Sequence, residues 1–184
     1  MSKQKFDVSN LIIREEDPGD HKAVFDLIEE AFRDMEVSDH QEQFLVDRLR
    51  RSDTFVPELS LVAEFGDQII GYILVTKVLI KNKDQQHSSL TMAPVAVRPD
   101  FQRCGVGAAL IRRSHEAARD LQYSSITVLG HADYYPKFGY VRAEEFGIKF
   151  PFEVPSENCM IIELVEGGLE NTTGVVEYPP AFFQ

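Results

Sequence analysis

Two glycines one residue apart, Gly105 and Gly107, sit in the segment "RPDFQRCGVGAALIRR" (98–113), just ahead of a stretch with helical periodicity. The first N–H groups of a helix have no partner within it and carry the positive end of its dipole. Glycines at that place remove the side chains that would keep a phosphate from reaching those groups. Arg98, Arg103, Arg112 and Arg113 add positive charge to a segment of an otherwise acidic chain. The spacing therefore offers a site for a phosphorylated ligand. Taken alone, it equally suits a helix that merely starts, or packs closely, at its glycines. It is not a Walker loop, because no Gly-Lys-Ser/Thr follows. A dinucleotide fingerprint would need a third glycine where Leu110 stands.

A second group lies in "YYPKFGY" (134–140). A phenol of ordinary pKa near 10 stays protonated at neutral pH and can donate to a leaving group. Tyr134 and Tyr135 are candidates for that work; the competing reading makes them core aromatics beside Phe138. Glu64, His87 and His131 have the chemistry of a general base, and each also suits a surface or structural role. Cys104 has no His–Asp set beside it in the sequence and reads as an incidental thiol. The two cysteines, Cys104 and Cys159, lack metal-ligand spacing, so no metal is expected.

The elements that must position these residues follow from pattern. "LIIRE" (11–15) is a candidate first strand. Asp17 and Pro18 suit the start of a helix whose Val24, Leu27, Ile28 and Ala31 share a face. "SDHQEQFLVDRL" (38–49) reads as a second helix, with Asp39 and Glu42 at capping-box spacing. Two β-rich runs flank Gly66-Asp67, a two-residue hairpin turn. After a polar stretch, "KNKDQQH" (81–87), "SLTMAPVAV" (89–97) is a buried strand interrupted by Pro94. Proline donates no ladder bond, so Pro94 marks an edge, a bulge or a place where strands part. A helix from about Gly105 places Leu110, Ser114, Ala117, Ala118 and Leu121 on one face. "SSITVLG" is the next strand, and "HADYYPKFGY" holds at most one short helical turn because of Pro136. "FGIKF" and "NCMIIELV" are two more strands, and the tail after Gly167-Gly168 is read as irregular. The order β-α-α-β-β-β-α-β-α-β-β predicts a mixed α/β or α+β domain around one sheet.

Composition bounds the function. The 184 residues, 43% of them hydrophobic and 27% charged, fit one globular domain. A formal net charge of -11 argues against a nucleic-acid protein, which needs a basic face. The first ten residues hold no apolar signal-peptide core, and no apolar run approaches the roughly 18 residues that span a bilayer. The expectation is a cytoplasmic protein with reduced thiols and no membrane partner.

"VAVRPDFQRCGVGAALI" resembles the acetyl-CoA signature of the GNAT superfamily of N-acetyltransferases, Gln/Arg-x-x-Gly-x-Gly/Ala, through Gln102, Gly105 and Gly107. "YYPKFGY" resembles that fold's aromatic-Tyr-x-x-x-Gly-aromatic segment. With "FEVPSENCMIIEL" and "YPPAF", the combination is similar to the YhbS-like branch. The likeness covers residues 11–165 and extends to the tail. It implies a domain over residues 1–165, with 166–184 as a C-terminal tail packed on it. The implied fold is a mixed, mostly antiparallel sheet flanked by helices and splayed between the fourth and fifth strands. Acetyl-CoA would be the cosubstrate. Its pyrophosphate would lie on the amides of Gln102, Arg103, Cys104, Gly105, Val106, Gly107 and Ala108. Its pantetheine would run along Val95, Ala96 and Val97, where a backbone N–H would stabilise the oxyanion. Tyr135 matches the family's general acid. The implied reaction is direct acetyl transfer to a primary amine, most simply of a small molecule. Two other readings stay open. One is a non-catalytic acyl-CoA sensor on the same fold. The other is an interaction protein that uses the "YPPAFF" tail as a partner-binding or homodimer strand.

Overall fold

The protein is described by a computed structural model over residues 6–36 and 38–184. Its strands are β1 (Ile12–Glu15), β2 (Ser60–Phe65), β3 (Gln68–Lys81), β4 (Gln86–Val97), β5 (Ser125–Leu129), β6 (Val141–Arg142), β7 (Ile148–Lys149), β8 (Cys159–Glu163) and β9 (Gly174–Glu177). Its α-helices are α1 (His21–Phe32), α2 (Glu42–Arg50) and α3 (Val106–Asp120). The sheet runs β1-β2-β3-β4-β5-β8-β6, with β9 paired to β3 and β7 paired to β9. Pairing is antiparallel except for β4–β5 and β7–β9. Among the described residues, no helix is long and apolar enough to cross a membrane.

Side chains alternate across the strands, so each face of the sheet takes its own helices. On one face α3 seats Val106, Leu110, Ile111, Ala117 and Ala118 against Ile73, Leu90, Met92, Ile126 and Val128. On the other, α1 and α2 bury Val24, Leu27, Ile28, Val46 and Leu49 against Val62, Tyr72, Leu74 and Ala96. A buried polar knot fixes α2 to the sheet. Arg50 pairs with Glu16 and Asp47, the Ser60 hydroxyl donates to Glu16, and Tyr72 bonds Ser60 at 2.8 Å.

Local signals behave as the sequence suggests at several places. Gly66 and Asp67 both have positive φ, 54° and 60°, the backbone of a type I′ hairpin, and Phe65 pairs with Gln68. Asp17 and Asp20 form a reciprocal capping box around a short 3-10 turn that leads into α1. The start of α2 differs from expectation. It begins at Glu42, not at a box headed by Asp39: the Asp39 carboxylate accepts the Gln41 N–H at 3.0 Å, and Ser38 donates to Glu42 at 2.6 Å. The tail is not irregular throughout. Its β9 pairs Val175, Val176 and Glu177 with Lys81, Ile80 and Leu79, on the stretch of β3 that extends past the end of β2.

Two features of β4 position the site. Ile73 pairs with Val95 and Val75 with Met92, so Ala93 and Pro94 bulge opposite Leu74. On the other edge, β4 pairs with β5 only at Leu90↔Ile126 and Thr91↔Thr127. Beyond Thr91 and Thr127 the two parallel strands diverge, and the β4 edge from Met92 to Val97 faces a cleft.

Candidate active site

The chain leaves β4 at Val97, makes a 3-10 turn at Pro99–Phe101 and enters α3 at Val106. Arg103 has φ 60° and Gly105 φ 93°, so two left-handed residues bracket Cys104 in the turn that leads into α3. At Gly105 only glycine adopts that backbone without strain. Gly105 is the N-cap of α3, and no side chain caps the helix there. The amides of Val106, Gly107 and Ala108 thus begin a 15-residue helix without a side-chain partner, beside the open edge of β4. A Cβ on Gly107 would lie 3.2 Å from the Tyr134 hydroxyl and 3.6 Å from Val97 Cγ2. Gln102 turns inward: its Nε2 donates to Val97 O at 3.1 Å and ties the loop to the strand end. Cys104 is exposed, its thiol 3.4 Å from Gln102 O.

The aromatic segment closes the far side of the cleft. Tyr135–Phe138 is a 3-10 turn ended by Gly139 at φ 97°. The Tyr135 ring lies over Gly130, just past the end of β5, so closely that a Cβ there would overlap it. The edge contact with Tyr140, at 5.6 Å between centroids, fixes its other side. Among the described residues the Tyr135 hydroxyl has no protein hydrogen-bond partner, and it is not among the sealed polar atoms. It is therefore a donor left accessible to solvent. Burial first, then the neighbouring Tyr134, pushes its pKa up to about 12. Tyr134 points elsewhere, with its hydroxyl at the first turn of α3. Its pKa is raised by burial and partly restored by Arg112. Lys137 Nζ sits 3.6 Å over the Tyr134 ring and Arg112 5.4 Å over Phe138, so two cations flank this wall.

Behind Tyr135 stands a pair that sequence reading passed over. His115 of α3 is 5% exposed, and its Nε2 lies 3.0 Å from Tyr140 Oη. Burial, with help from Arg119 and Arg112, lowers the His115 pKa to about 4. The folded state thus holds His115 neutral while the unfolded chain protonates it near 6.5. The unfolded state binds more protons between these values, so stability rises with pH from about 4 to about 6.5. Urea unfolding across this range is expected to show a shallower slope for His115→Gln than for the parent. Equal slopes would contradict the assignment.

The base candidates separate by position. Glu64 accepts from Arg14 Nε at 3.0 Å and lines a cavity of about 540 Å³ with Arg14, Asp20, Gln68 and Arg98, on the α1 side of the sheet. Its charge is compensated there, away from the cleft. His87 lies near the β3–β4 hairpin, 3.2 Å from Gln85 Oε1. His131 alone of the three flanks the Tyr135 turn, where its carbonyl accepts the Tyr134 N–H at 3.0 Å. Among the arginines, Arg98 is bound to Gln68 and Asp100, and Arg113 reaches Glu116 at 3.7 Å.

Residues 57–142, from the turn before β2 through β6, match the family described as "Acetyltransferase (GNAT) domain". The "Uncharacterized N-acetyltransferase YjhQ" of Escherichia coli (strain K12) is 35% identical over 137 residues, 73% of this chain and 76% of that protein. The chain belongs to the GNAT family of acetyl-CoA-dependent N-acetyltransferases. Two solved GNAT structures extend the likeness over the whole fold. E. coli YhbS, in complex with CoA, superposes with a TM-score of 0.84 at 25% identity, over 95% of this chain and 93% of that one. A GNAT acetyltransferase from Brucella melitensis, in complex with acetyl-CoA, gives 0.77 at 29% identity, over 94% and 97%. The mixed sheet with a parallel β4–β5 pair that then parts is the GNAT fold expected from the sequence.

Proposed function

We propose that this protein moves an acetyl group from acetyl-CoA to a primary amine by direct attack. The observation that carries this reading is the uncapped, glycine-bearing start of α3 lying beside the β4 edge that β5 leaves open. Similarity to the CoA-bound and acetyl-CoA-bound GNAT structures supports it. The pyrophosphate lies on the amides from Gln102 through Ala108, with Arg103, Arg112 and Lys137 as nearby cations. The amide-bearing pantetheine pairs with β4 along Val97, Ala96 and Val95, where a backbone N–H meets the thioester oxygen.

The amine nitrogen adds to the thioester carbon and its surplus proton leaves to a base, for which His131 is the candidate beside the Tyr135 turn. The tetrahedral intermediate then collapses, the C–S bond breaks and the amide forms. Tyr135 donates to the departing sulfur. A free thiol titrates near 8.5. A phenol near 12 therefore acts as a hydrogen-bond donor to the developing thiolate rather than giving up its proton outright, and the thiolate leaves hydrogen-bonded to it. The carboxylate surplus of the chain, 30 Asp and Glu against 19 Lys and Arg, favours a small cationic acceptor. The same reading takes 1–165 as the catalytic domain and 166–184 as a segment of it, which the β9–β3 ladder supports.

A panel of primary amines incubated with acetyl-CoA, with free thiol as readout, tests the assignment. Thiol release that depends on one amine class is expected. Binding of acetyl-CoA without turnover on any amine would favour the sensor reading.

A further inference from the structure

The tail brings one side chain to the point where β4 and β5 part. β7 and β9 carry the chain back over the sheet face opposite α3, onto the free edge of β3. Tyr178 follows β9 directly and is 7% exposed. It is wedged among Phe152 (5.0 Å between centroids), Phe182 (4.9 Å) and Phe150 (6.4 Å). Its hydroxyl end meets the side chains of Thr91 and Thr127. These two are the last β4–β5 pair before the strands diverge, and both are fully buried. Opposite them, Met92 and Val128 seal the vertex from the α3 face at 3% and 1% exposure. The tail itself is held down, since Arg48 Nε of α2 donates to Ala181 O at 2.9 Å.

Length decides what lies at this vertex. The pantetheine arm has about a dozen bonds between phosphate and sulfur, equivalent to about four residues of extended chain or ~14 Å. Laid back along β4 from the first turn of α3, it puts the thioester near Val95, and the acyl group runs on past Ala93 toward the Thr91–Thr127 pair. The acyl group then points into a dead end walled by Met92, Val128, Thr91, Thr127 and Tyr178.

We propose that Tyr178 sets the acyl-chain limit of this enzyme, closing the vertex so that acetyl-CoA and propionyl-CoA fit and longer acyl-CoAs do not. This rests on the reading that places the arm along β4. Of the wall, Thr91 and Thr127 belong to the ladder, and Met92 and Val128 to the α3 core. Tyr178 alone comes from the tail, so its truncation removes no ladder bond of the strands that hold the cofactor.

Calorimetric titration with CoA, acetyl-CoA, propionyl-CoA, butyryl-CoA and hexanoyl-CoA tests this without knowledge of the acceptor. For the parent, affinity is expected to fall by about tenfold or more between propionyl-CoA and butyryl-CoA, the scale on which a filled pocket rejects an extra methylene. In Tyr178→Ala, butyryl-CoA is expected to bind within about threefold of acetyl-CoA while CoA itself keeps parental affinity. Tyr178→Leu keeps apolar packing with a shorter reach and is expected to fall between. Melting curves on the same samples identify any variant that fails to fold, and the parent series stands without variants. A parent that binds all chain lengths alike overturns the proposal and leaves the CoA reading intact, as does discrimination unchanged in a folded Tyr178→Ala. Failure of the parent to bind CoA or acetyl-CoA overturns both.

Discussion

Replacing Tyr135 by phenylalanine is expected to lower turnover by about a hundredfold or more while acetyl-CoA affinity stays within a few fold, the usual scale of a lost acid or donor at a leaving group. The structure makes this a clean deletion. The ring is held by Gly130 beneath it and Tyr140 at its edge, and neither contact uses the hydroxyl. No protein partner is orphaned, because the hydroxyl bonds to none among the described residues. Melting temperature should therefore barely move. Tyr134→Phe is the control, and its expected effect lies in a different quantity. The Tyr134 hydroxyl stands at the first turn of α3, so its loss should alter acetyl-CoA affinity and leave kcat near that of the parent. If Tyr134→Phe loses turnover and Tyr135→Phe does not, the roles are exchanged. If both keep full turnover, the thiolate takes its proton from water.

Gly107→Glu is expected to abolish measurable acetyl-CoA binding. A carboxylate about 4 Å from a phosphate charge costs about 4 kcal/mol at an effective permittivity near 20, roughly a thousandfold in affinity. The side chain also fills the approach to the first-turn amides. Gly107→Ala is expected to be far milder. Gly107 has no positive φ, and its new Cβ would meet the end of the Tyr134 side chain at 3.2 Å, which a shift of a few tenths of an ångström relieves. Calorimetry separates the two variants, and parental affinity in Gly107→Glu would move the phosphate site away from α3.

The parts of this fold that are readable from sequence are those set by local chemistry. Gly66-Asp67 dictates its hairpin because both residues tolerate positive φ. Pro94 announces a bulge because it cannot donate to a ladder, and the register jumps there. Gly105 marks the start of α3 for the same backbone reason. What stays hidden depends on distant partners. Gly174–Glu177 is a strand only because β3 outruns β2 and leaves Leu79–Lys81 an edge to fill. β6 and β7, two residues each, are too short to show any period. The face assigned to α3 omits Ile111 and His115, both buried, and includes Leu121, which is 37% exposed. A buried histidine at α3 and a tyrosine in the tail look ordinary in sequence. They gain meaning only when folding sets His115 against Tyr140 and Tyr178 against Thr91 and Thr127. Gln102 shows the reverse: its place in the glycine motif is legible, yet its side chain bonds Val97 and so shapes the loop.

The most direct test of the account is the thermal stability of the unmodified protein with and without acetyl-CoA. A ligand that binds only the folded state at a hundred times its Kd adds about 2.7 kcal/mol. For a chain of this size that corresponds to a rise in Tm of about 5–10 °C. The account predicts such a rise with acetyl-CoA and with CoA. An unchanged Tm at millimolar acetyl-CoA, with no heat in a parallel titration, would contradict it.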